Sequence, residues 1–130
     1  MERRVVNPWT WQENFGFHQG HEVTGAERTL YLSGQLSTDD DGAPIHEGDM
    51  AAQINRCLDN IETVLAAADM TLTNVVRLNI YTTDVDELLA HGATLGRLKA
   101  AGCQYSSTLL GISRLAYPES LVEIEATAVA

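Results

Sequence analysis

The sequence predicts an α+β domain, a mixed β-sheet with two helices packed on one face. Three observations carry this. Residues 49–68 repeat apolar side chains at helical spacing. Residues 75–82 alternate at every second position, and 105–130 read as two alternating strands joined by a short Pro-containing connection. The segments follow in the order β-β-β-α-β-α-β-β, and two helical crossovers of one hand place both helices on the same side of the sheet. A chain of 130 residues fits one domain, spanning 1–130.

The first predicted strand, residues 3–6, ends at Asn7-Pro8. Trp9 and Trp11 follow in a polar loop, where they either pack at an interface or form a binding platform. Residues 17–23 and 29–33 read as the next two strands, and 35–49 as a long polar loop. The run Asp39-Asp40-Asp41-Gly42 is a turn; it lacks the later ligands of a calcium loop, so no metal is expected there. Asp49 caps the first helix, with Ile54, Cys57, Leu58, Ile61, Leu65 and Ala68 as its apolar stripe. Gln53, Arg56, Asp59 and Glu62 fall on its polar side. Asp69 follows the stripe, and Asp tolerates the left-handed conformation better than most residues.

In the strand at 75–82, Val76, Leu78 and Ile80 face one way and Arg77, Asn79 and Tyr81 the other. Asp84, with Glu87 three residues on, starts a second helix that runs through Leu88, Leu95 and Leu98 to Gly102. Gly92 and Gly96 inside it cost about 1 kcal/mol each, which implies either close packing or a loose helix. In the fifth strand Ser107, Leu109 and Gly111 oppose Leu110 and Ile112. Beyond Pro118, Val122, Ile124, Ala126 and Ala128 share one face, and Leu121, Glu123, Glu125 and Thr127 the other. Two carboxylates at that spacing lie about 7 Å apart. They face solvent, pair with a base such as Arg77, or line a pocket.

The formal charge of −10 and pI near 4.6 argue against a nucleic-acid partner and against an anionic membrane surface. Cys57 and Cys103 show no metal or redox spacing; Cys57 reads as buried, and Cys103, in a loop after Gly102, as accessible. His18 and His21 on one strand would point to opposite faces and so make no ligand pair. With no signal peptide or transmembrane run, a soluble protein of the reducing cytoplasm is expected. No Ser-His-Asp order, phosphate loop or nucleotide fingerprint is present.

Five stretches share an order and a spacing. They are FHQG at Phe17, SGQ at Ser33, AAQINRCLDNIETVLAAADM at Ala51, VVRLNIYTTDVDEL at Val75, and SRL followed by VEIEATAVA near the C-terminus. Together they resemble the RidA (YjgF/YER057c/UK114) family. The resemblance implies a chorismate-mutase-like fold, a homotrimer, a small-molecule cleft between subunits and no cofactor. Archetypal members hydrolyse imines and enamines to ketoacids and ammonia. That chemistry needs a cation for the substrate carboxylate, an oriented water and an apolar wall.

Matched residue by residue, the family's substrate-binding arginine falls at Ser107, followed by Thr108, so the chain resembles an arginine-lacking branch. Arg114 matches a separate basic position. The family's pocket tyrosine falls at Phe17, its water-orienting glutamate at Glu123, and Ser33, Gly34 and Gln35 also match. In this reading Glu123 orients water, while Ser107, Thr108 and Tyr105 donate hydrogen bonds to a neutral ligand. Phe17 and Trp11 form a wall, and His91 on the second helix is a further acid/base candidate. The expected activity is hydrolysis of an enamine or imine other than a simple 2-imino acid. The alternative is a non-catalytic small-ligand binder or metabolic sensor. The acidic composition disfavours ribonuclease activity.

Overall fold

A computed structural model describes residues 1–130. Its strands are β1 (Glu2–Val6), β2 (Gly20–Thr24), β3 (Thr29–Gln35), β4 (Val75–Thr82), β5 (Ser106–Gly111) and β6 (Val122–Val129). Its helices are α1 (Met50–Ala67), α2 (Val85–Ala90) and α3 (Gly96–Ala100). Strands β3, β6, β4 and β5 form one sheet in that order, antiparallel except for the parallel β4–β5 pair. The parallel pair follows from its connection, which carries α2 and α3 across the sheet. β1 and β2 pair separately as an antiparallel ribbon, and a bridge from His18 to Ser106 ties the ribbon's approach to the edge of β5.

The apolar stripe of α1 packs on the sheet as its periodicity requires: Ile54, Cys57, Leu58, Ile61 and Leu65 are fully buried against Leu78, Ile80, Val122 and Ile124. Asp49 accepts a hydrogen bond from the Ala52 amide at 3.0 Å and starts the helix. Asp69, at φ 55°, takes the left-handed turn that ends it. Gln53 departs from the polar side assigned to it and is 1% exposed. Its amide nitrogen donates to the His46 and Glu119 carbonyls and its oxygen accepts from the Leu121 amide. A buried amide with every partner met joins the long loop and the approach to β6 to the helix.

The second helix is broken. α2 stops at Ala90, a 3₁₀ turn spans Gly92–Leu95, and α3 resumes at Gly96. Nothing lies within 4 Å of a Cβ built at Gly92 or Gly96, so these glycines mark a loose helix and not a close approach. Leu88 and Leu98 anchor the two halves in the core, and Arg97 bridges α3 to Asp59 and Glu62 on α1. Cys103 is buried, against the expectation of an accessible thiol, because the turn after α3 folds its amide onto the Leu98 carbonyl at 2.9 Å. No helix is long and apolar enough to cross a membrane.

Candidate functional site

The candidate residues divide between the two faces of the four-stranded sheet. β5 lies beside β4 with Leu78 opposite Ser107 and Asn79 opposite Thr108. Ser107 and Leu109 therefore share the helix-covered face with Leu78 and Ile80. Thr108 shares the bare face with Arg77, Asn79 and Tyr81. β6 lies on the other side of β4, with Tyr81 opposite Glu123 and Asn79 opposite Glu125, so both carboxylates are on the bare face. Ser107 and Glu123 of one chain thus stand on opposite sides of the sheet.

The two carboxylates have different surroundings. Glu125 accepts hydrogen bonds from the Tyr81 hydroxyl and from Asn79 Nδ2, the latter at 3.2 Å. Those two donors, the tyrosine first, hold its carboxyl below the usual carboxylate range, and the same bond raises the Tyr81 phenol. No side chain donates to Glu123. Half-burial, and then the negative charge of Glu125, push its carboxyl above the usual range. Its position depends on Gly34. β3 bulges between Leu32 and Gln35, and a Cβ on Gly34 would lie 2.0 Å from Glu123 Oε1. The carboxylate rests on bare backbone, beside exposed Ser33. Arg77 makes no ion pair with either glutamate. It sits opposite Thr127 and donates to Thr108 Oγ1 at 3.0 Å.

On the covered face, a cavity of about 650 Å³ opens between the edge of β5 and the broken helix. Phe17, Leu88, Leu95, Tyr105, Ser107 and Leu109 are among its walls. Burial raises the Tyr105 phenol to about 12, so it stays neutral as a donor. Phe17 lies ahead of β2 and not within a strand. Its ring is fixed by an aromatic cluster, edge-on to Trp11 at 5.9 Å and tilted against Phe15 at 6.4 Å. Trp11 therefore backs the wall formed by Phe17. His91 is not among the cavity walls; its Nε2 lies 3.1 Å from Glu87 Oε1, one turn back on α2.

Some contributors escaped the sequence reading. Tyr81 and Asn79, which set the state of Glu125, were legible as a face but not as its donors. Gly92 lines the cavity, and its only sequence signal was its cost inside a helix. His18 and His21 do meet, with rings 5.4 Å apart at 90°, because His18 precedes β2 and escapes its alternation. His21 Nδ1 lies 3.1 Å from Ser106 Oγ and His18 Nδ1 2.9 Å from Asn7 Nδ2. No group of three His, Cys, Asp or Glu converges to hold a metal ion.

The family model described as Endoribonuclease L-PSP matches residues 17–130. The chain is 32% identical to Protein DfrA of Myxococcus xanthus over 129 residues, which is 99% of this chain and 97% of that protein. It is 34% identical to the 2-iminobutanoate/2-iminopropanoate deaminase of Bos taurus, over 47% of this chain and 44% of that one. The crystal structure of YyfB from Yersinia pestis, a protein of unknown function of the conserved Rid family, superposes with a TM-score of 0.88. It shares 35% identity and covers 100% of both chains.

Proposed function

The chain belongs to the Rid (YjgF/YER057c/UK114) family, described as Endoribonuclease L-PSP, and on that premise we propose that it hydrolyses an enamine or imine other than a simple 2-imino acid. The observation that carries this is the separation of two neighbouring carboxylates. Glu125 is pinned in its ionised form by Tyr81 and Asn79, while Glu123 has no donor and a raised pKa. A carboxylate so placed takes up a proton more readily than its neighbour, as an acid/base group must.

In the proposed reaction the imine reacts as its protonated iminium, and ionised Glu123 takes a proton from water as the water oxygen adds to the imine carbon, leaving a neutral carbinolamine. Glu123 returns that proton to the amine nitrogen, and as the C–N bond breaks the carbinolamine hydroxyl gives its proton to Glu123, so that a carbonyl compound and ammonia leave. Because Ser107 and Glu123 lie on opposite sheet faces, the cleft needs the Glu123 face of one copy against the cavity of another. A homotrimer supplies that arrangement. Ser107, where the resemblance expects arginine, offers one hydroxyl in place of a bidentate cation, a loss of about 1.5–3 kcal/mol for a carboxylate ligand. Ser33, Gly34, Thr108 and His91 belong to the rim of this cleft in the proposal. Two free thiols, both buried, fit a reducing cytoplasm. The acidic chain and the paired glutamates oppose a phosphate-bearing substrate, so ribonuclease activity is not part of the proposal.

Light scattering should give three times the 14.2 kDa chain mass. A monomer at micromolar concentration would remove the shared cleft. Coupling pyruvate release to a dehydrogenase should show little acceleration of 2-iminopropionate hydrolysis by the wild type. Ser107→Arg should gain some rate, and Ser107→Arg with Phe17→Tyr more. Wild-type turnover matching an archetypal deaminase would overturn the change of substrate. A second reading, a non-catalytic binder of a neutral ligand, is favoured by the missing cation. It is told apart by saturation without ammonia release from an imine that lacks a carboxylate.

A further inference from the structure

We infer that the cavity beside the broken helix is a binding site for an uncharged, largely apolar molecule, and that Gly92 sets how large that molecule can be. The inference rests on the reading of this cavity as half of the substrate cleft and deepens it by naming the class of ligand.

The lining decides the class. None of the residues around the 650 Å³ cavity carries a charge at neutral pH. Ser107, Tyr105 and Asn14 offer hydrogen bonds, and the remaining walls are aliphatic and aromatic apart from Gly92. An ionised group entering such a space gives up its hydration with no opposite charge to replace it, which is expensive. A neutral apolar body gives up only water, with a few directional polar contacts to orient it. The mouth agrees with the walls. Phe15 and Leu89 belong to its lining and stand 67% and 59% exposed, so the apolar wall continues out to the surface as a contiguous patch, which suits the entrance of an apolar site.

The broken helix decides the size. A regular helix from Asp84 to Gly102 would present a continuous row of side chains to the edge of β5. Here it unwinds at His91, and the wall position falls to a glycine with nothing within 4 Å of its missing Cβ. Gly92 does not use a positive φ, so its lack of a side chain is the feature in play and not its backbone freedom. A larger residue there is compatible with the fold and takes up open space at the cavity wall.

The test uses the full chain and two fluorescent probes that share one aromatic body, neutral N-phenylnaphthylamine and its sulfonated counterpart anilinonaphthalene sulfonate. The wild type should bind the neutral probe more tightly by about tenfold or more. Ser107→Arg should reverse the order by placing a cation at the wall. Gly92→Phe should weaken the neutral probe by about tenfold or more while thermal unfolding stays cooperative. Equal affinity for both probes, or no uptake of the neutral one, would overturn the class of ligand. Unchanged affinity in folded Gly92→Phe would overturn the role of Gly92. Probe uptake without ammonia release from any imine would leave this inference standing and remove the hydrolytic reading. Hydrolysis of anionic imines without uptake of the neutral probe would do the reverse.

Discussion

The two faces of the four-stranded sheet are made by the same strands and have opposite character. The face under the helices is neutral and apolar, and where it is not filled it leaves the cavity lined by Phe17, Tyr105 and Ser107. The bare face carries Glu123, Glu125, Arg77, Asn79 and Tyr81, with Tyr31 80% exposed beside them. Side chains of neighbouring residues, Ser107 and Thr108 or Glu123 and Ile124, enter different environments one position apart. The comparison teaches a separation: charged side chains are gathered on one face, and the neutral cavity lies on the other. One chain cannot bring the two together through its own sheet.

The largest effect expected from breaking this arrangement is on the charged face. If the protein hydrolyses an imine, Glu123→Gln should lower kcat by about 10²–10⁴, the usual scale of lost acid/base help. Glu125→Gln should cost much less, because Glu125 is tied to Tyr81 and Asn79. Equal losses in steady-state kinetics would assign the role to the pair as a unit.

The covered face should respond in stability. Ile61 is fully buried between α1 and the sheet, so Ile61→Ala should destabilise by about 2–5 kcal/mol in urea unfolding. A change within about 0.5 kcal/mol, typical of surface sites, would contradict the packing of α1.

A sharper probe touches only the position of one carboxylate. Gly34→Ala places a Cβ 2.0 Å from Oε1, 2.7 Å from Cδ and 2.9 Å from Cγ of Glu123, so the glutamate must rotate away from its Cβ outward. Displacement of a reacting group by about 1 Å can cost about 10²-fold in rate. Kinetics beside thermal melts should therefore show lost turnover with the fold intact; full activity would mean that Glu123 does not act from its seat on Gly34.

The smallest effect is on the pH dependence of stability, and its sign differs between the two glutamates. The Glu123 carboxyl is raised, so its favourable contribution exists below its unfolded pKa and is lost as pH rises through the folded value. The Glu125 carboxyl is lowered, so its contribution exists above the unfolded pKa and is lost as pH falls through the folded value. Glu123→Gln should raise the melting temperature at neutral pH and leave it unchanged well below the carboxylate range. Glu125→Gln should lower it at neutral pH. Melting curves with the two signs exchanged would refute the environments assigned to the pair.

Periodicity alone determined most of the architecture. The α1 stripe, the alternation of β4 and β6 and the shared face of Glu123 and Glu125 all follow from side-chain spacing, because burial acts on single residues in register. What tertiary structure decided depends on partners distant in sequence. Gln53 is buried because the His46 and Glu119 carbonyls and the Leu121 amide converge on it. Arg77 misses the glutamates because antiparallel pairing sets it opposite Thr127. The lowered state of Glu125 arises from Tyr81 and Asn79 on the neighbouring strand, and the raised state of Glu123 from its burial and then from the charge of Glu125. The cavity lies beside a helix legible as continuous that instead stops at Ala90 and passes into a 3₁₀ turn at Gly92–Leu95, where glycine propensity loses about 1 kcal/mol and no neighbour restores it.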